Sequence, residues 1–390
     1  MESYNSKTEK KVPGRLSYLD SFRGIAIIWI VCFHLLRHTV DSYGEFIKTI
    51  IKNGHLGVEI FFVISGYGII ASIQKMNKNE NRVFPFLKKR LLRIYNTYLI
   101  SLFFVALIIP IASSILSALK GHPFSIKFCE YSFSEWLQFI TLTKVFSAES
   151  WWLTSAFSPL NGSVWYIAVL AQIYIVMAAA IFFRKNYSKI IIAISFLSLI
   201  SLIPSVKEHI PYGLFLPYWI EFSVGIFLFY LIANRFTLNL GEKSKIIYLF
   251  LLILHLAVSW FLMKHMFSKT LFAFLVGILF WLIYPVRNHI ERTMLFRFFI
   301  GLGIFSYSLY LLHVPLFPLV DMFVRNFVPM PLSISYPLVL IPAVLAISYV
   351  WYLFFEKPGS FKGSLYALRM PYRTIRKEIF RQPKSNACVY

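Results

Sequence analysis

The chain has 390 residues, of which 58% are hydrophobic, 18% are aromatic and only 14% are charged, and its mean hydropathy is +0.66. This composition excludes an ordinary soluble domain and a disordered chain, and it is typical of a polytopic membrane protein. The formal net charge of +22 would suit a nucleic-acid partner, but the positions of the basic residues follow a membrane topology instead.

Apolar runs separated by charged residues predict an all-α bundle of about ten transmembrane helices. A single transmembrane domain is expected over residues 16–358, between a polar N-terminal segment at 1–15 and a basic tail at 359–390. The first span resembles a signal peptide, but no small-residue cleavage site follows it, so we interpret it as an uncleaved helix. The predicted spans are residues 22–38, 55–74, 94–119, 163–183, 189–204, 213–234, 246–265, 268–285, 298–320 and 334–355.

The basic residues alternate between the two sides of the predicted bundle. If both termini are cytoplasmic, 28 of the 39 Lys and Arg residues lie in cytoplasmic segments, 10 lie on the opposite side, and Arg23 lies within the first span. This pattern follows the positive-inside rule, so it predicts cytoplasmic termini and argues against a nucleic-acid partner. Some of these residues are also placed to contact anionic membrane lipids.

The longest predicted segment between spans, residues 120–162, carries Trp136, Trp151 and Trp152. Such a composition suits an aromatic belt, or an interfacial helix or lid that lies on the bilayer surface and contacts a substrate.

The three cysteines are scattered along the chain, with neither a metal-ligand spacing nor a disulfide framework. We therefore predict no metal site.

Four ionisable residues are predicted to lie at one level in the outer half of the bundle. Arg23 and His34 are eleven positions apart in the first span, which separates them by roughly 16 Å along a helix axis. Counted along their own spans, Glu59, Glu221 and His313 come to the level of His34. Each is individually explained as a polar group satisfied by nearby backbone, but their common depth favours a functional site, because ionisable groups in lipid are costly.

His34 and Glu59 form the predicted catalytic pair. A carboxylate that accepts one imidazole N–H fixes the tautomer and raises the basicity of the other ring nitrogen. That nitrogen would then accept a proton from a substrate.

The cytoplasmic side offers a second predicted feature. Arg90 and Arg93 are three residues apart and share a face if a helix begins there. Two guanidinium groups on one face suit a phosphorylated ligand, although a positive-inside anchor is the simpler interpretation. Ser65, next to Gly66, would allow a ligand or a neighbouring helix to approach closely.

Six motifs in order make the chain resemble the acyltransferase 3 family of integral membrane acyltransferases, which includes bacterial enzymes that O-acetylate surface polysaccharides. The resemblance runs from about residue 16 to residue 358. Its motifs are LDSFRG (Leu19–Gly24) followed by His34, GVEIFFVISGY (Gly57–Tyr67), RLLRIY (Arg90–Tyr95), VWY with QIY (Val164–Tyr166 and Gln172–Tyr174), FSYSLYLLH (Phe305–His313) and EKP (Glu356–Pro358).

This resemblance implies an acyl-CoA donor on the cytoplasmic side, usually acetyl-CoA, and no tightly bound cofactor. It implies a glycan hydroxyl as the acceptor and the inner (cytoplasmic) membrane of a bacterium as the location. His34 and Arg23 match the essential pair of the family, and Arg90 and Arg93 would lie near the CoA phosphates. One position departs from the family: Leu170 stands where many members have Glu.

We expect His34 to act as a general base on the acceptor hydroxyl, or to carry the acyl group itself. Trp165, Glu221, Tyr310 and His313 are the predicted acceptor-binding residues. A transporter or flippase of an acylated or glycolipid substrate is the alternative, because intramembrane charges at one depth also mark translocation pathways. A third hypothesis is an inactive scaffold, for which loss of the His34 imidazole would change nothing.

Overall fold

The computed structural model describes residues 16–74, 83–126, 128, 130–147, 157, 160–183, 186–232, 247, 250–254, 257 and 264–357. The protein is 86% helical and has no strand in these residues. Its main helices are α1 (Ser17–Leu36), α2 (Glu45–Lys52), α3 (Gly57–Gln74), α4 (Val83–Ala118), α5 (Phe133–Thr141), α6 (Trp165–Phe182), α7 (Tyr187–Ile200), α8 (Trp219–Ile232), α9 (Lys264–Ile283), α10 (Met294–Ile304), α11 (Ser306–Phe327) and α12 (Leu332–Glu356).

The predicted all-α membrane fold is confirmed. Seven helical segments, namely α1, α2 with α3, α4, α6, α9, α11 and α12, are long and apolar enough to cross a bilayer, and α7, α8 and α10 are shorter apolar helices. Nine predicted spans overlap described helices, whereas most of the span at 246–265 lies outside the described residues. The count of ten and the cytoplasmic termini therefore stay predictions.

The starts of α4 and α1 differ from the predicted boundaries in ways that affect the site residues. Helix α4 begins at Val83 rather than near residue 94, because hydropathy stops at the charged residues of its first turns while the backbone helix does not. Pro85 lies in the first turn, where a helix needs no N–H donor. Helix α1 begins at Ser17, so Arg23 lies two turns inside that helix rather than at its start.

The span predicted at 298–320 is two helices that meet at Phe305. Helix α10 ends at Ile304 and α11 begins at Ser306. The first N–H groups of α11 need an acceptor, and the carboxylate of Glu356 provides one, because Ser308 donates its backbone N–H at 3.0 Å and also its hydroxyl. A carboxylate at a helix N-terminus is also favoured by the helix dipole.

Glycines allow two pairs of helices to cross at backbone contact. A Cβ on Gly66 of α3 would lie 2.0 Å from the carbonyl oxygen of Phe222 in α8, and one on Gly225 of α8 would lie 1.9 Å from that of Val63. Gly24 of α1 stands in the same relation to α10, at 2.0 Å. Small-residue contacts of this kind bring membrane helices close together, and here they set the distance between α3 and α8 where the two helices cross.

The segment predicted as a belt or lid contains helix α5. Ser132 and Glu135 form a capping box at its start, and the Tyr98 hydroxyl of α4 donates to the Phe139 carbonyl at 2.7 Å. The Ser132 backbone N–H and the Lys144 ammonium hold the pKa of Glu135 below its usual value. Helix α5 is thereby tied to α4, while Trp151 and Trp152 lie outside the described residues.

Candidate active site

The four ionisable residues that the sequence placed at one level come together as two pairs. His34 of α1 lies beside His313 of α11, with 5.1 Å between the ring centroids. Glu59 of α3 interacts electrostatically with Glu221 of α8. The bundle therefore contains an imidazole pair and, separately, a carboxyl pair.

His34 lies half-buried in the last turn of α1. The ring of Phe33 packs 4.9 Å from it, centroid to centroid, and on its other side Phe33 contacts His55. The predicted hydrogen bond between His34 and Glu59 is not formed in the described structure. Glu59 instead interacts electrostatically with Glu221 of α8 and Lys269 of α9.

The His313 side chain is fully buried in α11. Its Nδ1 lies 3.1 Å from the carbonyl oxygen of Leu309 and 2.9 Å from that of Tyr310. Carbonyl oxygens only accept hydrogen bonds, so the geometry assigns the hydrogen to Nδ1. The opposite nitrogen, Nε2, has no partner in the described residues, so it presents a buried lone pair.

The carboxyl pair is also buried, with Glu59 3% and Glu221 1% exposed. Thr270 of α9 donates its hydroxyl to Glu221 Oε1 at 3.0 Å. The Oε2 atom of each acid lacks a hydrogen-bond partner in the part of the chain that the structure describes. Each acid therefore has one buried oxygen whose lost hydration no hydrogen bond replaces within these residues.

Aromatic residues form a wall next to His313. Tyr310 donates its hydroxyl to the carbonyl of Ser163, and its ring lies 5.6 Å from that of Tyr166. The Tyr166 hydroxyl is 3.1 Å from Ser65 Oγ, so the predicted donor-side serine contacts this wall directly. Trp165 stays half-buried at the start of α6.

Two polar residues beside this wall, Asn161 and Ser163, were not singled out from the sequence. Asn161 donates its side-chain amide to the Leu311 carbonyl at 2.6 Å and accepts a hydrogen bond from the Ser163 hydroxyl at 2.6 Å. These bonds tie the entry of α6 to the turn of α11 that carries Tyr310 and His313. The polar residues before the apolar run indicate a helix cap, but a cap signal does not name a partner 150 residues away.

The two arginines of α4 lie in different surroundings. Arg90 is half-buried and donates to the Gly68 carbonyl at 3.1 Å and to the Ser72 hydroxyl, both on α3. Arg93 is exposed and interacts electrostatically with Glu356. The structure thus gives Arg90 protein partners and leaves Arg93 open to the surroundings.

Arg23 lies nearer than His34 to the N-terminal end of α1. It forms an ion pair of 2.7 Å with Asp20, and its side chain is 25% exposed. Asp20 is buried at the crossing of α1 and α10, where its carbonyl meets Gly303. The ion pair holds the guanidinium group of Arg23 beside the N-terminal half of α1, eleven residues before His34 in the last turn of the same helix.

An apolar cleft of about 410 Å³ lies between α4, α11 and α12. Its lining is aliphatic apart from Phe323, so it suits hydrocarbon rather than phosphate or sugar. No cluster of three His, Cys, Asp or Glu side chains suited to a metal ion occurs in the described residues. The imidazole pair and its aromatic wall are therefore the best candidate for chemistry.

The comparisons with known proteins identify a family. The sequence profile of acyltransferase family 3, described as an acyltransferase domain, matches residues 16–354. No curated protein and no solved structure matches the chain. The matched region runs from the start of α1 almost to the end of α12, so the family domain and the helical bundle coincide.

Proposed function

The chain belongs to the acyltransferase 3 family, and we propose that this membrane acyltransferase moves an acetyl group from cytoplasmic acetyl-CoA, or another acyl-CoA, to a hydroxyl of a cell-surface or lipid-linked glycan. The observation that carries the proposal is the pair of His34 and His313 within the bundle. Imidazoles inside a membrane domain without an ion-pair partner in the described structure point to chemistry rather than to stability.

In the proposed reaction His34 acts as the general base. It takes the proton of the acceptor hydroxyl as that oxygen bonds to the thioester carbonyl carbon. The C–S bond then breaks, and the imidazolium returns the proton to the leaving thiolate, which gives CoA thiol and an ester. Alternatively, a ring nitrogen of His34 attacks the thioester carbonyl carbon and the C–S bond breaks, so that CoA leaves as the thiolate. The acceptor hydroxyl then attacks the acyl-imidazole, the C–N bond breaks, and the hydroxyl proton goes to the thiolate, which gives the ester, CoA thiol and free imidazole.

The donor is proposed to enter from the cytoplasm. Arg93 is exposed and Arg23 is partly exposed, so both are available to charged phosphate oxygens. Arg90 supports this face through its bonds to α3. Ser65 lies deeper, where its hydroxyl bonds to Tyr166 and would face the thioester end of the donor.

The acceptor is proposed to enter from the opposite side. Trp165 offers a half-buried aromatic face, and His313 and Tyr310 lie next to it in the aromatic wall. Glu221 faces Glu59 rather than this wall, which leaves it a role in the same layer at one remove from the acceptor. The distribution of basic residues supports cytoplasmic termini in an inner membrane.

The experiment is release of CoA thiol from acetyl-CoA by membranes that contain the protein and the glycans of the host cell. His34→Ala should abolish the release at equal expression. His209→Ala is the matched control, because that histidine is exposed and bonds only to the backbone of its own turn. It should keep wild-type turnover.

Other outcomes decide against the proposal. Equal turnover in wild type and His34→Ala would remove the imidazole from the mechanism. Absence of turnover with acetyl-CoA and succinyl-CoA, together with continued export of the glycan, would favour the transporter. An acetylated sugar detected by NMR only in the presence of active protein would identify the acceptor.

A further inference from the structure

In the residues that the structure describes, no carboxylate hydrogen-bonds to the imidazole of His34, although a carboxylate usually orients a catalytic histidine. Glu59, the candidate from the sequence, faces Glu221 instead. The charged or titratable groups that act on His34 are His313 of α11, Arg37 of its own helix and His55 before α3. None of them is an acid, so within the described residues the candidate for an orienting group is of another kind.

His313 has the properties of such a group. Its Nδ1–H is used by two carbonyl oxygens of α11, which fixes the tautomer. Its Nε2 is then a pure acceptor, it is fully buried, and it has no partner in the described residues. A buried acceptor without a donor has lost its hydrogen bonds to water without replacing them, which favours pairing with any N–H within reach.

The distance allows that pairing. Each ring nitrogen lies about 1.1 Å from its ring centroid, so two nitrogens that face each other across the observed 5.1 Å are about 2.9 Å apart, an ordinary hydrogen-bond distance. The rings are tilted by 58°, and His34 makes no hydrogen bond elsewhere in the described structure. The pairing requires one nitrogen of each ring to face the other, and the His34 ring can rotate about its side-chain torsions towards this arrangement because no hydrogen bond holds it in the described residues.

We propose that Nε2 of His313 accepts the ring N–H of His34 and thereby positions the other His34 nitrogen for catalysis. This inference rests on the proposed function, in which His34 is the catalytic group. His313 keeps its own proton at Nδ1 throughout and gives none away. Its lone pair stabilises the imidazolium that forms when His34 takes the proton of the acceptor hydroxyl.

Three variants separate positioning from packing. His313→Gln keeps an acceptor near the place of Nε2, His313→Asn keeps an amide only near Nδ1, and His313→Leu keeps only volume. We expect Leu and Asn to lower kcat about 10- to 100-fold, as loss of a group that orients an imidazole does, without a change in KM for acetyl-CoA. Gln should recover at least a tenth of the wild-type kcat, and the acid limb of the pH–rate profile should move in Leu and Asn only.

A spectroscopic test does not depend on turnover. In the full-length protein labelled with ¹⁵N-histidine, the hydrogen bond predicts a nitrogen–nitrogen coupling between the two rings that disappears in His313→Leu and in His34→Ala. Coupling without acyl transfer would overturn the proposed function and leave the pairing intact. Transfer by the wild type without coupling, or equal impairment of Gln, Asn and Leu, would overturn the positioning role.

Discussion

The contact between α3 and α8 allows a quantitative test of the fold that positions the carboxyl pair. A Cβ on Gly66 would lie 2.0 Å from the Phe222 carbonyl oxygen, whereas real Cβ contacts stay beyond 3.0 Å, so the helices must separate by at least 1.0 Å. Overpacking of a tight interface costs about 1–3 kcal/mol. Gly66→Ala should therefore lower the free energy of unfolding, even after the gain of up to about 1 kcal/mol in helix propensity.

Gly68 of the same helix is the matched control. No atom lies within 4 Å of the Cβ that Gly68→Ala would add, so this variant should be as stable as wild type or more stable by up to about 1 kcal/mol. The assay is thermal unfolding of the purified protein in detergent, followed by helical circular dichroism. Gly225→Ala should repeat the loss, and combined with Gly66→Ala it should add less than its own cost, because one separation relieves both clashes. Equal midpoints for Gly66→Ala and Gly68→Ala would refute the close crossing.

Three further predictions follow from other contacts. Glu59→Gln removes one acid of a repelling pair and no hydrogen-bond partner of His34. Thiol release should therefore stay within about threefold of wild type, and the midpoint of unfolding should not fall. A loss of activity as large as that of His34→Ala would show that Glu59 does belong to the catalytic pair. Glu356→Ala removes the acceptor at the start of α11, with a cost of about 0.5–2 kcal/mol, and amide exchange at Ser308 should rise while that of the middle of α11 does not. Because the pKa of Glu135 is lowered in the folded state, the stability that its contacts give to α5 is present at neutral pH and is lost as the pH falls below the ordinary 4.5 and through the lowered value; amide exchange of α5 should rise there in wild type and not change with pH in Glu135→Gln.

The sequence predicted one depth for the site residues, but it could not predict the direction in which they face. A rise of 1.5 Å per residue places His34, Glu59, Glu221 and His313 at one level. Their pairing depends on rotation about each helix axis. Apolar residues surround α3 on every side, so no periodicity marks the face that carries Glu59. The partner of each residue was therefore open until helix packing fixed the rotation.

The break between helices at Phe305 could not be predicted from the sequence for a related reason. Glycines at 301 and 303 lie inside an apolar run, and isolated glycines are tolerated in membrane helices. The break needs an acceptor for the new helix start, and that acceptor is Glu356, 48 residues away. Local sequence determines which segments are helical, but a distant side chain determines where this segment bends.

The helix that carries Arg23 and His34 is in backbone contact with its neighbours at several levels. Added Cβ atoms on Gly24, Gly57 and Gly54 would meet backbone oxygens at 2.0, 2.7 and 2.3 Å, the first in α10 and the others in α1 itself. Such contacts leave α1 little room to slide against α10 or α3. Because Arg23 and His34 lie on one continuous helix, their separation of about 16 Å along its axis is also fixed. In the proposed reaction the acyl-CoA would therefore have to extend along α1 with its thioester foremost in order to reach His34 from Arg23.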